Sequence, residues 1–408
     1  MKRALPNRGW NSGTWQRAVN RALALAVLIV PIVVVTQSVQ AQSFSVLYSF
    51  NAADGLNPKS GLVRDNEGNL YGTTSYGGAS HGGTVFKLDT AGRETVLHTF
   101  TGPDGIGPSS GLVRDKEGNL YGTTSGGGAS GQGIVFKLDT TGTETVLHSF
   151  TGPDGANPSA GLIRDKEGNL YGTTSGGGVS GGGLSGEGTV FRLDTAGRES
   201  VLHSFTGPDG ANPIAGLIRD EAGNLYGTTA FGGFLNCAGT GCGVVFKLDP
   251  AGNETVLHSF TWPDGAFPVA GLVQDNEGNL YGTTQGGGAF NEGTVFKLDT
   301  AGLVTVLHSF TGGTDGAIPQ EAGLVQDKAG NLYGTTSLGG NLGCYAPSGC
   351  GVVFKLDPAG AETVLHRFTW LGGVFPFAGL VQDKAGNLYG TTTDGGASGF
   401  GTVFTLAP

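Results

Sequence analysis

After its first 41 residues the chain has no apolar run long enough to cross a bilayer as a helix. No stretch of that body carries the 3.6-residue periodicity of an amphipathic helix. Helical bundles are thereby excluded, and no membrane insertion of the mature domain is expected. Basic residues are scarce. The 23 Lys and Arg stand against 33 Asp and Glu, and residues 1–41 take five of the basic residues and no acid. The remaining 18 basic and 33 acidic residues lack the basic face that nucleic acid or an anionic lipid surface requires. Catalytic motifs are missing as well: there is no G-x-S-x-G, no H-E-x-x-H and no P-loop. Glycine runs such as Gly126–Gly128 lack the strand-to-helix context that phosphate binding needs. No catalytic residue, metal ligand or cofactor is assigned.

Glycine is abundant instead, at 78, with 17 prolines. The glycines recur at fixed places among Val, Leu, Phe and Tyr, which marks them as turn residues of a β-protein rather than as disorder. The heptapeptide GNLYGTT begins at Gly68, Gly118, Gly168, Gly223, Gly278, Gly330 and Gly386, at spacings of 50, 50, 55, 55, 52 and 56 residues. Repeats of that length indicate a solenoid, propeller or array.

One unit reads as four strands. In the second, strand A spans Gly111–Asp115, strand B Asn119–Thr124, strand C Gly133–Leu138 and strand D Glu144–Phe150, joined by glycine-bearing turns. Four short strands in about 50 residues match one propeller blade. The last unit has strands A (Ala378–Asp383), B (Asn387–Thr392) and C (Gly401–Leu406) and then stops, whereas Phe44–Phe50 is a lone strand D. The predicted fold is therefore all-β: a seven-bladed β-propeller of four-stranded antiparallel blades over residues 42–408, closed by the N-terminal strand completing the last blade. Closure removes the exposed edges of an open array. By analogy with similar propellers, strand A lies at the channel and strand D at the rim.

Arg17 and Arg21 precede an apolar run, Ala22–Val35, followed by Val39-Gln40-Ala41. Residues 1–41 read as a secretory signal peptide cleaved after Ala41, with an uncleaved anchor as the alternative. The expected location is the periplasm, the cell surface or outside the cell.

The A–B and C–D turns barely change between units, whereas the B–C loops and D–A connections vary in length and chemistry. The third unit inserts Val179–Glu187 in its B–C loop. These variable segments are expected to share one face. They carry the candidate ligand-binding residues Tyr76, Phe231, Trp262, Phe290, Tyr345, Trp370 and Phe375, with further aromatics such as Phe267 and Phe377. Aromatics among Asn, Gln and Glu suit stacking on sugar rings or gripping a protein. The competing reading is that they only cover the blade tops.

Repeated polar residues read as structural. His98, His148, His203, His258, His308 and His366 share one strand-D position, with Tyr48 in the seventh, which suggests a ring donating one hydrogen bond. The Asp ending each strand A, such as Asp65, is expected to bond the turn backbone two residues on. The Asp-Gly connections, such as Asp54 and Asp104, are turn residues that would bind a cation only if several faced the channel. Calcium is conceivable but unsupported, since the spacing lacks a calcium loop's alternating acids. Cys237 with Cys242, and Cys344 with Cys350, each lie within one B–C loop and read as two loop-pinning disulfides of an exported protein.

Units of the form AGLVxDxxGNLYGTTxxGG…GxVFKLDxxGxETVLHSF make residues 44–408 resemble the bacterial GloVer tandem-repeat family. That resemblance implies export and repeat architecture; it implies no activity and transfers no functional residue. The grammar is also similar to NHL-type and lyase-type propellers, in fold only. The preferred function is a monomeric, non-enzymatic module that binds a glycan or a surface protein on its variable-loop face. An extracellular lyase, hydrolase or lactonase with its site at the channel mouth is one alternative, and a structural surface component is another.

Overall fold

The structure is a computed structural model that describes residues 42–178, 186–234, 237, 239–321 and 323–407. The expected signal segment and residues 179–185 of the third unit's insertion lie outside the described residues. Seven four-stranded antiparallel sheets form the blades of a propeller. Blade one is Val63–Arg64, Leu70–Thr74, Thr84–Leu88 and Glu94–Thr99, taken as strands A to D. Blade seven is Val381–Gln382, Leu388–Thr392 and Thr402–Ala407, completed by Ser43–Ser49. The N-terminal strand pairs with the last one from Ser43 opposite Ala407 to Ser49 opposite Thr402. The ring is closed as the unit count predicts.

Strand A is shorter than its sequence pattern. Val113–Arg114 pairs where five residues were expected. The residues before it leave the ladder to line the central channel, where Gly61, Gly111, Gly161, Gly216, Gly271, Gly323 and Gly379 stand in sequence around the axis. A Cβ on Gly379 would lie 2.9 Å from the Gly323 carbonyl oxygen, so side chains are excluded at that contact. Strand A is innermost, as expected.

The heptapeptide can be read atom by atom. Asp65 Oδ1 accepts from the Asn69 backbone N–H at 2.8 Å, and its Oδ2 accepts from the Tyr71 hydroxyl at 3.1 Å. The turn bond thus reaches four residues on, and the bond two residues on, to Glu67 N–H, is an addition to it. The second glycine makes room for a ring: a Cβ on Gly72 would lie 2.7 Å from Phe86 Cζ. The first threonine, Thr73, donates to the Ser110 carbonyl of the next blade, while the second, Thr74, meets Thr84 on strand C.

Blades adhere through phenylalanine. The Phe at the end of each strand D meets strand C of the next blade edge to face, as in Phe100–Phe136 with centroids 5.1 Å apart. Phe50–Phe86 and Phe368–Phe404 repeat the pair on either side of the closing blade. These rings are wholly buried. Burying one such side chain stabilises by about 1.5–3 kcal/mol.

Candidate functional site: the variable-loop face

The B–C loops and D–A connections do share a face, and short backbone bridges join them. Leu56 pairs with Tyr76, Ala211 with Phe231, Ala266 with Gly286 and Val374 with Asp394. Each connection also places the residue before a proline at a left-handed φ. Asn57 (53°), Gly107 (68°), Asn157 (52°) and Asn212 (57°) tolerate that conformation. Phe267 (60°), Ile318 (54°) and Phe375 (57°) do not, and bulky residues there store strain.

Two of those strained residues line clefts. Asn212, Ile214, Ala230, Phe231, Phe267, Val269 and Gln285 enclose about 270 Å³ across blades four and five. Phe267 meets Phe231 edge to face at 5.5 Å and Trp262 at 5.9 Å. The Trp262 indole donates to Asn291 Oδ1, which fixes the ring on the loop that also carries Phe290. Trp262 is 42% exposed and Phe290 55%. The second cleft, about 320 Å³, is lined by Asn57, Lys59, Gln320, Phe375, Phe377 and Asp394 among others. Tyr345 meets Phe375 edge to face at 5.0 Å, and Lys59 lies 5.6 Å from the Phe377 ring centre.

Of the expected binding residues, Phe231 and Trp262 thus converge on Phe267, Phe290 directly precedes the Asn291 that Trp262 bonds, and Tyr345 and Phe375 form a second pair. Tyr76 and Trp370 are exposed on other loops of the face, and no ring contact joins either to these groups among the described residues. Sequence reading left out of the candidate set the residues that complete the clefts: Phe267, Asn212, Gln285, Lys59 and Gln320. A phenylalanine standing where sister units place asparagine before proline was the available signal.

The channel mouth holds Glu321, whose carboxyl pKa is raised by burial, against the opposing pull of the Lys59 ammonium. Lys59 lines both the channel and the second cleft. Asp394, which lines the second cleft, accepts a bond from Asn57 Nδ2 at 3.1 Å.

Four of the six strand-D histidines make the single hydrogen bond expected of the position and identify its partner. His98, His148, His203 and His258 place Nε2 at 2.9–3.1 Å from the Asp of the following connection. Those Asp residues therefore serve the rim rather than the channel mouth, as turn residues bonded to the strand before them. His308 stands 3.6 Å from Asp315, and Tyr48 donates to Asp54. The disulfides form as paired, with Cα–Cα distances of 5.2 Å for Cys237–Cys242 and 5.6 Å for Cys344–Cys350. No helix among the described residues is long and apolar enough to cross a membrane.

A sequence profile described as the Gloeobacter/Verrucomicrobia repeat matches residues 33–183, 177–346 and 241–408. No curated protein sequence matches the chain. Among solved structures, similarity extends to the extracellular domain of a proposed hybrid two-component system from B. thetaiotaomicron, with 14% identity and a TM-score of 0.56. The match covers 90% of this chain and 41% of that one. The extracellular domain of a proposed one-component system from the same organism gives 11% identity, TM-score 0.56, and coverage of 89% and 40%. This chain therefore spans about two fifths of those chains. A gluconolactonase from Xanthomonas campestris gives 15% identity, TM-score 0.46, and coverage of 90% and 89%. At such identities the likeness to the two extracellular domains is one of fold alone.

Proposed function

The chain belongs to the Gloeobacter/Verrucomicrobia repeat family, and we propose that this member is an exported, non-enzymatic propeller that binds carbohydrate on its variable-loop face. The observation that carries the reading is Phe267. A bulky side chain holds a left-handed φ that four of its six sister units give to Asn or Gly, and it does so in an aromatic cleft flanked by amides. Strain of this kind persists where something other than folding selects for it. Phe231, Phe267 and Trp262 supply faces for sugar rings, and Asn212 and Gln285 supply paired donors and acceptors for hydroxyls.

Export is supported by the N-terminal sequence and by two disulfides that suit an oxidising compartment. The test is a thermal-shift screen of the oxidised protein against soluble glycans, with Trp262→Ala and Phe231→Ala alongside. A ligand bound only by the folded state raises the midpoint by mass action. The reading expects a glycan-specific rise that both variants abolish. A panel with no rise, or a rise that both variants keep, would overturn it.

A further inference from the structure

We propose that His148, Asp154 and Glu199 form a divalent-cation site of the zinc type at the rim seam between the second and third blades. His148 lies on strand D of blade two, Asp154 on the connection that follows, and Glu199 begins strand D of blade three. One ligand atom from each lies within 4.8 Å of the others. An imidazole with two carboxylates is a donor set that zinc accepts.

The seam is built in a way that a hydrogen-bonded pair alone does not require. His148 Nε2 and Asp154 Oδ2 are already 3.0 Å apart, and both side chains are about four-fifths buried, at 19% and 20% exposure. Glu199 adds a second carboxylate beside Asp154, and its Oε1 is buried with no hydrogen-bond partner. Two carboxylates facing each other repel unless a proton or a cation stands between them.

Other seams of the same ring act as internal controls. Val304 takes the glutamate position between blades four and five, yet His258 keeps its bond to Asp264 at 2.9 Å. The glutamate is therefore not needed to hold the histidine and the turn. Between blades six and seven the connection carries Gly372 and Gly373, and Phe44 takes the glutamate position and stacks on His366. Where the aspartate is missing, the whole polar set gives way to an aromatic stack.

A tetrahedral zinc ion would bring its ligand atoms to roughly 3.4 Å from one another. The site closes to that spacing by rotation of the Glu199 side chain, whose Oε1 has no other partner to release. Zinc takes the imidazole through Nε2, with the ring proton moved to Nδ1, and Asp154 and Glu199 each give one oxygen. The fourth position stays open to solvent.

The experiment is titration of the tag-free protein with zinc chloride by calorimetry, with calcium chloride in parallel. The variants are Glu199→Gln, His148→Gln and, as a control, Glu67→Gln in an exposed turn. Glu199→Gln leaves the His148–Asp154 bond in place, so its fold is retained and its midpoint without zinc checks this. The expected result is zinc binding by the parent and by Glu67→Gln, with one equivalent lost or weakened at least tenfold in both Glu199→Gln and His148→Gln. No zinc binding by the parent, unchanged zinc stoichiometry and affinity in Glu199→Gln, or calcium bound as well as zinc would each overturn the assignment.

Discussion

Phe44 of the N-terminal strand lies flat on His366 of blade six, with ring centroids 3.8 Å apart and planes 4° from parallel. It also meets Phe368 edge to face at 5.8 Å, so one side chain near the start of the domain fastens the seam beside the closing blade. His366 has no hydrogen-bond partner for Nε2, and burial holds its pKa down to about 4. The stack therefore replaces the contact that His or Tyr makes with an Asp at the other seams. Phe44→Ala is expected to destabilise the protein by about 2 kcal/mol, below the range for a fully buried Phe because this ring is only partly covered. Urea unfolding followed by fluorescence checks this. Deleting residues 42–50 exposes the edge of Thr402–Ala407, and light scattering is expected to show self-association.

Gly72→Ala tests why the heptapeptide repeats. Its added Cβ would lie 2.7 Å from Phe86 Cζ and 3.0 Å from Leu62 Cδ2 inside a packed blade. Overpacking of this kind costs about 1–3 kcal/mol. The same cost is expected at Gly122, where the corresponding distances are 2.7 and 2.9 Å. Parallel denaturation of the two variants checks it, and a neutral result at both would show that the glycine has another role.

The repeat carried most of this fold in plain view, because every blade solves the same packing problem with the same letters. Tyr71, Gly72, Thr73 and Thr74 each have one physical task, and a substitution in any unit would stand out against six copies. Strand A is shorter than its letters suggest, because Gly111 and Leu112 look like strand residues while the crowding of seven segments at the axis is invisible along the sequence. The candidate site was legible only in part. Exposed aromatics could be named, but which of them meet depends on how neighbouring blades dock. Phe231 and Phe267 are brought together across blades four and five, as Tyr345 and Phe375 are across blades six and seven. The grouping of His148, Asp154 and Glu199 was hidden for the same reason, since His148 and Glu199 belong to different repeats.

Stability is expected to peak on the acid side of neutrality. Glu94, Glu144, Glu199, Glu254 and Glu362 are each pushed up to about 7, first by burial and then by the facing Asp54, Asp104, Asp154, Asp209 and Asp315. A raised carboxyl favours the folded state fully below its unfolded value near 4.5, and that contribution is lost as pH rises to 7. His366, lowered to about 4 from 6.5, acts in the opposite sense and costs stability as pH falls through that window. His308 is lowered too, again mainly by burial. Asp65 and its counterparts, held low by bonds from Asn and Tyr against the opposing effect of burial, lose their contribution below about 3.8. With five glutamates against two histidines, the midpoint without metal is expected to be highest near about pH 5 and to fall toward pH 8. Melting curves from pH 4 to 9 check this, and Glu144→Gln should lessen the fall on the neutral side. A midpoint that climbs steadily from pH 5 to 8 would contradict it.

The central claim is that Phe267 is kept for a ligand rather than for the fold, and Phe267→Asn tests it most directly. Asparagine occupies the same left-handed position at Asn57, Asn157 and Asn212. Relief of strain is worth about 1–3 kcal/mol, which offsets the packing lost with a partly exposed ring. The measurement is the melting midpoint of parent and variant, each with and without the glycan that shifts the parent. The account predicts an unliganded midpoint equal to or above the parent's, together with loss of the glycan-induced rise. A midpoint several degrees below the parent's, with the glycan response intact, would make Phe267 a packing residue and contradict the account.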